Sequence, residues 1–341
     1  MPGARLAPRA QANLRIGHFS HTPWAPVDWF AMLPDDIAAQ LVEGMLGADR
    51  VAFLTRRWAV AFTESCRTAL PGRCTVEPGD DGLPVVRHTG AGAPADAPGG
   101  RHRQSTRVGV HGLGADADFL RERAHRPDVD ERLAALREQI GGEDRKVIVR
   151  VDRTELSKNI VRGLLAYRHL LAGRPEWHGR VVHLAFAYPS RQDLAVYREY
   201  TEEVQRVAAE INASFGTPGW KPVEMHVRDD FARSLAAYRL ADVVLVNPIR
   251  DGMNLVAKEV PVVSEAGCAL VLSREAGAAE DLGDHAVMIN PYDVTGTADA
   301  LHEALTMPAA ERADRSKALA AAATALPPSR WFTDQLDALG G

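Results

Sequence analysis

From Gly141 onward, strand-like and helix-like stretches alternate with a regularity that few folds can accommodate. Apolar runs such as "KVIVRVD", "RVVHLAFA", "VVLVN" and "CALVLS" are separated by segments whose apolar residues recur at helical spacing. Strands and helices that alternate at these lengths are typical of a parallel sheet covered by helices on both faces. The predicted fold class is therefore α/β, with one complete Rossmann-like domain over residues 141–325.

The preceding sequence is also mixed α/β, but it is shorter and less regular. Arg15 to Ser20 has the pattern of a buried strand, while Pro34 to Leu46 and Arg57 to Leu70 carry apolar residues at helical spacing. Segments rich in Gly, Pro, Ala and Asp bracket "LPVVRH", which predicts a hairpin at about residues 76–107 with a long, partly disordered tip. Residues 1–140 are therefore assigned to a separate amino-terminal domain.

Composition narrows the classes of partner. The 341 residues are 46% hydrophobic and 25% charged, and the net charge of -5 removes the usual electrostatic reason for binding nucleic acid or an anionic membrane. No apolar run approaches membrane-spanning length. Cys66, Cys74 and Cys268 show no CxxC spacing, which favours neither a disulfide framework nor a zinc cluster. We expect a cytoplasmic protein with a small-molecule ligand, and neither nucleic acid nor membrane as a partner.

Polar residues directly follow several of the predicted strands. Ligands of such sheets bind outside the carboxyl ends of the strands, so these positions are candidates for chemistry. They are Asp152, Arg153 and Lys158 after the first strand, Ser190 and Arg191 after the second, and Asn247, Arg250, Asp251, Gly252, Met253 and Asn254 after the fourth. Several basic groups and one acidic loop are thus predicted to converge on one edge of the sheet.

The segment "VDRTELSK" places two cations on a loop that leads into a helix. Arg153 and Lys158 could hold a diphosphate there, together with free backbone N–H groups at the start of the helix. Taken alone, an Arg and a Lys on a loop are more commonly two solvated charges.

A second segment, "PIRDGMNLVAKE", joins a strand to a helix through Asp251 and Gly252. Glycine permits close approach of a ligand to the backbone, Asp251 can accept hydrogen bonds from hydroxyls, and Glu259 can bind a ribose. The first N–H groups of the helix can bind sugar hydroxyls or phosphate oxygens; they belong to Met253, Asn254 and Leu255. The alternative is that Asp251 or Asn254 caps the helix and that Glu259 is ordinary surface.

Other patterns are weaker. "REAGAAEDLG" would permit close approach of a base or phosphate, but helix–sheet packing explains its small residues equally well. In "HFSHTPWAP", His21 gains weight only from its context. Asp116 and Asp118 match a DxD metal-binding pattern, yet solvated charge explains them better, and no metal is expected. The sequence has no GxGxxG, P-loop or GxSxG motif, which argues against hydride transfer, Walker-type ATP use and α/β-hydrolase chemistry.

Together these segments resemble the trehalose-6-phosphate synthase family, retaining glycosyltransferases of the GT-B fold with two Rossmann-like domains. The resemblance covers nearly the whole chain and rests on "GHFSHTPWAP", "LVEGMLGADRVAFLTRRWAVAF", "VDRTELSKNI", "AYPSR", "YRLADVVLVNPIRDGMNLVAKE", "VLSREAGAAEDLG" and "INPYD". It implies a GT-B-like fold with a truncated amino-terminal domain, because the family has further elements before the strand of "LRIGHF". It also implies that residues 326–341 form a helix that crosses back to the first domain.

The resemblance also implies roles for individual residues. Arg153 and Lys158 would hold the donor diphosphate, His21 would contact the transferred glucose, and Arg191 would reach the acceptor phosphate. The donor segment would contribute Asp251, Gly252, Met253 and Asn254 at the sugar, the Leu255 backbone at the diphosphate and Glu259 at the ribose. One departure is that Asn159 stands where the family more usually has glycine.

The implied reaction transfers glucose from a nucleoside-diphosphate glucose, UDP- or GDP-linked, to glucose 6-phosphate with retention, giving trehalose 6-phosphate. No cofactor and no metal are expected. Two alternatives remain open: a pseudoglycosyltransferase of the validoxylamine phosphate synthase type, which "RDGMNL" disfavours, and a truncated non-catalytic nucleotide-sugar-binding protein. A first strand without its sheet partners would expose pairing edges, so we also expect a homo-oligomer.

Overall fold

The structure is a computed structural model that describes residues 15–79, 82–88, 104–142 and 144–340. Two compact units are present. The described residues up to Leu113 and those from Pro328 onward form the first unit, and Gly114–Pro327 form the second. Within the part of the chain so described, no helix has the length and apolar character needed to cross a membrane.

The first unit is built on one mixed sheet of five strands. They are β1 (Gly17–Ser20), β2 (Arg50–Phe53), β3 (Cys74–Pro78), β4 (Pro84–His88) and β5 (Gln104–Val110). Their order across the sheet is β1-β2-β5-β4-β3; β1, β2 and β5 run parallel, and β4 is antiparallel to both of its neighbours. The span predicted as a hairpin, about residues 76–107, includes β4 and most of β5, which pair antiparallel, and its expected long tip falls on residues 89–103, outside the described ranges.

Three helices precede or follow the early strands of this sheet. They are α1 (Val27–Phe30), α2 (Asp35–Met45) and α3 (Arg56–Ala69). The α3 helix begins where the Thr55 side chain accepts a hydrogen bond from the Trp58 backbone N–H, at 3.4 Å. Trp58 and Phe62 lie one turn apart on this helix and are buried in the same core as Val51 and Phe53 of β2. Helical spacing of large apolar residues thus places α3 against the sheet.

The second unit is built on a parallel sheet of six strands. They are β6 (Lys146–Arg153), β7 (Val181–Tyr188), β8 (Val223–His226), β9 (Val243–Val246), β10 (Ala269–Ser273) and β11 (Val287–Ile289). Their order is β11-β10-β9-β6-β7-β8, and every neighbouring pair is parallel. Successive strands are added on one side from β6 to β8 and on the other from β9 to β11. The strand order therefore reverses between β6 and β9, which makes this the topological switch point of the sheet.

Nine helices lie between or around these strands in the described residues. They are α4 (Ala117–Ala124), α5 (Pro127–Ile140), α6 (Ile160–Gly173), α7 (Ala195–Phe215), α8 (Phe231–Leu240), α9 (Leu255–Val263), α10 (Ala279–Leu282), α11 (Val294–Thr306) and α12 (Ala309–Thr324). Helix α9 ends at Val263, because Ser264 adopts an extended conformation (ψ 122°). Its interior Pro261 also lacks the N–H group that would continue the hydrogen-bond ladder.

The boundary between the units lies near Gly114 rather than near residue 140, the position expected from the sequence. Helices α4 and α5 belong to the second unit because they pack on α8. Arg132 donates to Asp230 at 2.9 Å, and Arg239 donates to Asp130 at 2.6 Å. An amphipathic pattern shows that a helix covers a core but does not show which sheet it covers.

The last helix, α13 (Pro328–Gly340), belongs to the first unit. The Trp331 ring packs edge-on against Phe19 of β1, with centroids 4.9 Å apart. Near the other end of the helix, Leu339 covers Gly17, where an added Cβ would lie 2.8 Å from the leucine Cδ1. Arg15 also donates to the Leu339 carbonyl at 2.5 Å. The chain thus leaves the first unit after β5 and returns to it through α13.

Candidate functional site

The loops that leave β6 and β9 meet at the switch point. Lys158 follows β6 and Asp251 follows β9, and the lysine Nζ lies 2.6 Å from the aspartate Oδ2. Parallel α/β sheets open a ligand-binding crevice at such a point, because the loops on its two sides turn in opposite directions. The structure therefore brings together one predicted cation and the predicted acidic residue, although 93 positions separate them in the sequence.

A left-handed residue fixes the course of the Lys158 loop. Leu156–Lys158 form one turn of 3₁₀ helix, and Asn159 then takes φ 58° before α6 begins. The Asn159 Nδ2 donates to the carbonyls of Asn247, at 3.0 Å, and Pro291, at 2.8 Å. Asparagine tolerates this conformation better than most residues with a side chain. Asn159 therefore preserves a backbone shape that glycine would also allow.

Lys158 lies between two carboxylates. Besides Asp251, its Nζ is 3.8 Å from Oδ1 of Asp152, and Asp152 accepts a hydrogen bond from Arg150 at 2.8 Å. Burial alone would lower the pKa of the Lys158 ammonium, but Asp152 and Asp251 outweigh this effect and hold its pKa above the ordinary lysine value. Lys158 therefore carries a fixed positive charge at neutral pH.

The start of α9 is closed by its own polar residues. Asn254, at φ 75°, accepts from the Ala257 N–H at 3.1 Å and so caps the helix. Its Nδ2 donates to Oδ2 of Asp251 at 3.1 Å, and the Met253 N–H is 3.4 Å from the other oxygen of that carboxylate. The capping alternative is therefore correct for Asn254, while Asp251 serves both Lys158 and the helix end.

The small residues of "REAGAAEDLG" pack against this loop. Gly277 donates to the Asp251 carbonyl at 3.0 Å, and Ala278 donates to the Met253 carbonyl at 2.7 Å. A Cβ on Gly277 would overlap the carbonyl oxygen of Gly252. The segment after β10 thus fixes the backbone of the loop after β9, and it does so because residue 277 is glycine.

Glu259 is not ordinary surface. It lies on α9 one turn past Leu255, and its Oε2 is 3.4 Å from the hydroxyl of the buried Tyr238 on α8. Burial raises the pKa of the Glu259 carboxyl, and the Tyr238 hydrogen bond opposes that shift. A half-buried carboxylate with unfilled acceptor capacity suits a ligand that donates two hydroxyls.

Arg153 and Arg191 lie on neighbouring loops, outside the Lys158 cluster. The Arg153 side chain is 64% exposed and pairs with Glu155 at 3.2 Å, and Glu155 in turn accepts from Ser190 at 3.3 Å. Arg191 takes φ 49°, lies over the Tyr197 ring at 5.5 Å and donates to its hydroxyl. Both guanidinium groups are exposed, so they are free to reach a ligand.

His21 belongs to the first unit, where it forms an aromatic cluster. Its ring lies 4.8 Å from that of Phe19 and 5.7 Å from that of Trp331 on α13. His21 is exposed, and the Trp331 Nε1 is buried without a hydrogen-bond partner among the described residues. The motif around His21 is local and visible in the sequence, whereas the role of Trp331 is not, because 310 positions separate the two residues.

Arg150 and Tyr238 also contribute contacts here, to Asp152 and Glu259, that the sequence did not single out. The available signal for Arg150 was a charged residue inside the apolar run "KVIVRVD".

The DxD pattern of Asp116 and Asp118 lies at the start of α4 and forms no metal site among the described residues. Asp116 caps α4 by accepting from the Phe119 N–H at 3.1 Å, and Asp118 is exposed. Within the described ranges, no group of three or more His, Cys, Asp or Glu residues is arranged to hold a metal ion.

Comparison with known proteins identifies the family to which the chain is similar. The family model of glycosyltransferase family 20 matches residues 5–340. The bifunctional trehalose-6-phosphate synthase/phosphatase of Thermoproteus tenax is 36% identical over 335 residues, which cover 96% of this chain and 42% of the relative. The chain therefore spans less than half of that protein's length.

Two solved structures extend the comparison. A UDP-forming α,α-trehalose-phosphate synthase from Burkholderia xenovorans, in complex with glucose-6-phosphate, matches with a TM-score of 0.88 and 29% identity over 100% of this chain and 71% of its own. A structure described as trehalose-6-phosphate from E. coli bound with UDP-2-fluoro glucose matches with a TM-score of 0.86 and 30% identity over 99% and 70%. These matches confirm the predicted GT-B-like α/β fold class and the family resemblance. Together with the family model that spans almost the whole sequence, they show that the chain belongs to glycosyltransferase family 20.

Proposed function

We propose that this chain is a retaining hexosyltransferase that transfers glucose from UDP-glucose to glucose 6-phosphate, giving trehalose 6-phosphate. The observation that carries the proposal is the Lys158–Asp251 pair, 2.6 Å apart, at the switch point and beside the start of α9. A cation, a carboxylate and a helix amino terminus are the groups that a diphosphate joined to a sugar requires.

The proposed donor-binding residues contact three parts of the donor: its diphosphate, its sugar and its ribose. Lys158 and Arg153 supply the positive charge for the diphosphate, and the Leu255 N–H at the start of α9 supplies a neutral donor to it. Asp251 accepts from hydroxyls of the sugar. Glu259 binds the ribose, because a carboxylate can accept hydrogen bonds from two neighbouring hydroxyls. The rest of the sugar contacts come from Gly252, Met253 and Asn254.

On the acceptor side, two residues are proposed. Arg191 binds the phosphate of glucose 6-phosphate through its exposed guanidinium, which Tyr197 supports from below by the cation–π contact. His21 contacts the transferred glucose, with its ring oriented by Phe19 and Trp331.

The reaction needs no nucleophile from the protein. The bond between the sugar C1 and the diphosphate oxygen breaks, and a bond from C1 to the acceptor hydroxyl oxygen forms on the same face. The leaving diphosphate oxygen takes the acceptor's proton, while Lys158 and Arg153 stabilise the negative charge that develops there. The protein's contribution is orientation and electrostatic stabilisation.

UDP is proposed as the carried nucleotide because the Burkholderia xenovorans relative is described as UDP-forming and the E. coli structure contains UDP-2-fluoro glucose. The test is calorimetric binding of UDP, GDP and ADP to the chain, followed by a coupled assay with UDP-glucose and glucose 6-phosphate. Arg153→Ala should weaken UDP binding. Lys221→Ala is the matched control, since Lys221 is exposed and pairs with its neighbour Glu224.

Three outcomes distinguish the proposed enzyme from a non-catalytic binding protein and from a wrong donor site. UDP binding with turnover supports the proposal, and binding without turnover leaves a nucleotide-sugar-binding protein in its place. If none of the three nucleotides binds, the donor site assigned to the second unit is wrong.

A further inference from the structure

An arginine lies inside the second unit at a position where the strand is otherwise apolar. Arg150 is 0% exposed in the middle of β6, between Val149 and Val151. Removing a guanidinium from water is unfavourable unless acceptors replace the lost hydration. One acceptor is a side chain: Asp152 Oδ2, at 2.8 Å. Two are main-chain carbonyls of the following loop, Lys158 at 3.1 Å and Ile160 at 3.5 Å.

Asp152 connects this buried charge to Lys158. Its second oxygen, Oδ1, lies 3.8 Å from the Lys158 Nζ. Arg150 therefore contacts the main chain of Lys158, and Asp152 contacts its ammonium. Both ends of Lys158 are held by one pair of residues at the end of β6.

The packing around Arg150 leaves little freedom for this pair. A Cβ on Gly163 of α6 would overlap the Nη1 of Arg150 and would also press on the Asn247 side chain. The helix can cross above the guanidinium only because residue 163 is glycine. The guanidinium of Arg150 is thus covered directly by α6, and Asp152 is tied to it by their hydrogen bond.

We infer that Arg150 and Asp152 are positioning residues that hold Lys158 in place for the donor diphosphate. The inference rests on the proposed function. A diphosphate competes with Asp251 for the Lys158 ammonium. When the diphosphate binds the ammonium, Asp251 is released and can accept hydrogen bonds from the sugar hydroxyls. Asp152 stays bound to Arg150 and keeps the ammonium at the edge of the sheet throughout. Asp152 also pairs with Arg150, so the guanidinium of Arg150 remains inside the unit while the ammonium of Lys158 faces the ligand.

The test is UDP binding by calorimetry to Asp152→Asn, Asp152→Glu and wild type. We expect UDP affinity to fall about tenfold in Asp152→Asn, the size of one charge-assisted interaction, and to recover in part in Asp152→Glu. The matched control is Asp242→Asn, which removes a paired carboxylate at the opposite, amino-terminal edge of the same sheet. Its UDP affinity should equal that of wild type.

A pH profile separates positioning from a merely structural role. Lys158 owes part of its raised pKa to Asp152, and UDP affinity that depends on the ammonium is lost as pH rises through that pKa. In Asp152→Asn the loss should therefore begin at a lower alkaline pH than in wild type. Circular dichroism recorded at each pH must show that the variant is still folded where its affinity falls, because a destabilised fold would also be lost at a lower alkaline pH.

Should Asp152→Asn fail to fold because Arg150 is left unpaired, the double variant Arg150→Met/Asp152→Asn is measured instead. It removes both charges and should show the same loss of UDP affinity. If wild type binds UDP and the folded variant binds it equally well with an unchanged pH profile, the inference is wrong and the proposed function stands. If wild type itself does not bind UDP, the proposed function is wrong, and the inference that rests on it is wrong as well.

Discussion

Two charge clusters lie at opposite edges of the same parallel sheet. At the amino edge, Asp242 accepts from the Val147 N–H at 3.0 Å and from Lys146 at 2.9 Å, and it pairs with Arg312 at 3.2 Å. At the carboxyl edge, Lys158 lies between Asp152 and Asp251. Both clusters use the same kinds of side chain at similar distances, yet only the second lies on the loops of the switch point.

The two clusters differ in whether a ligand can replace the hydrogen-bond partners of their carboxylates. Asp242 is surrounded by a backbone donor and two cations, so its oxygens are filled by the fold itself. In the Lys158 cluster, Asp251 accepts from Lys158, whose ammonium a ligand can bind instead, and from Asn254 and Met253 at the start of α9. Burial and pairing therefore do not by themselves indicate a binding site; a charged partner that a ligand can replace does.

The sharpest test of the contrast is Lys158→Ala. Removing the ammonium leaves Asp152 and Asp251 facing the diphosphate, so UDP affinity should fall about a hundredfold or more. Calorimetry measures this loss, and a melting curve checks that the fold survives. An affinity close to that of wild type would remove the distinction between the two edges.

Asp242→Asn is the converse change. We expect a loss of about 1–3 kcal/mol in the free energy of unfolding, because two cations and one backbone donor lose their charged acceptor. Urea denaturation followed by circular dichroism gives this value. A decrease in UDP affinity in the same variant would show that the amino edge also contributes to the site, against the contrast drawn here.

Glu259→Gln refines the description of the carboxyl edge. UDP affinity should fall about tenfold, since a ribose loses a charged acceptor. In wild type the affinity should also fall as pH decreases through the raised pKa of Glu259, because only the carboxylate accepts from both hydroxyls. The terminal phosphate of UDP titrates in the same pH range in both proteins. From neutral to mildly acidic pH, the dissociation constant should therefore rise more in wild type than in Glu259→Gln. Parallel profiles would assign the ribose to another residue.

The smallest expected effect concerns the backbone beneath Lys158. Asn159→Gly and Asn159→Ala both lose the hydrogen bonds to Asn247 and Pro291, but only alanine adds the strain of φ 58°. Asn159→Ala should therefore be less stable than Asn159→Gly by about 1 kcal/mol in urea denaturation. Equal stability of the two variants would indicate that the loop rearranges rather than keeping its left-handed residue.

Much of the second unit could be predicted from the sequence, because its strands and helices differ in apolar spacing. The strand order could not, since it depends on which strands pair over long separations. The position of β6 beside β9 is what brings Lys158 and Asp251 together. Helices α4 and α5 were assigned to the wrong side of the boundary for a similar reason. Their partner α8 lies about a hundred residues further along the chain, with 98 positions between Arg132 and Asp230.

The site was predicted best where a motif is local. Asp251 and Asn254 lie in one segment, and the capping role of Asn254 follows from its position before a helix. Glu259 was harder to interpret, because its burial depends on Tyr238 of a different helix. Arg150 was missed since its neighbours are apolar, and only the contact with Asp152 and the glycine of α6 explains why a charge occupies that position.

The return of α13 to the first unit has a consequence for how the chain acquires its structure. Arg15 and Leu339 are in contact across 324 positions, so the first unit closes a loop that contains the whole of the second. Loop closure of this length is entropically slow to achieve, whereas every strand of the second unit can pair within Gly114–Pro327. During synthesis the second unit can therefore fold while the first still lacks its last helix. The aromatic cluster around His21 forms only after Trp331 has emerged from the ribosome.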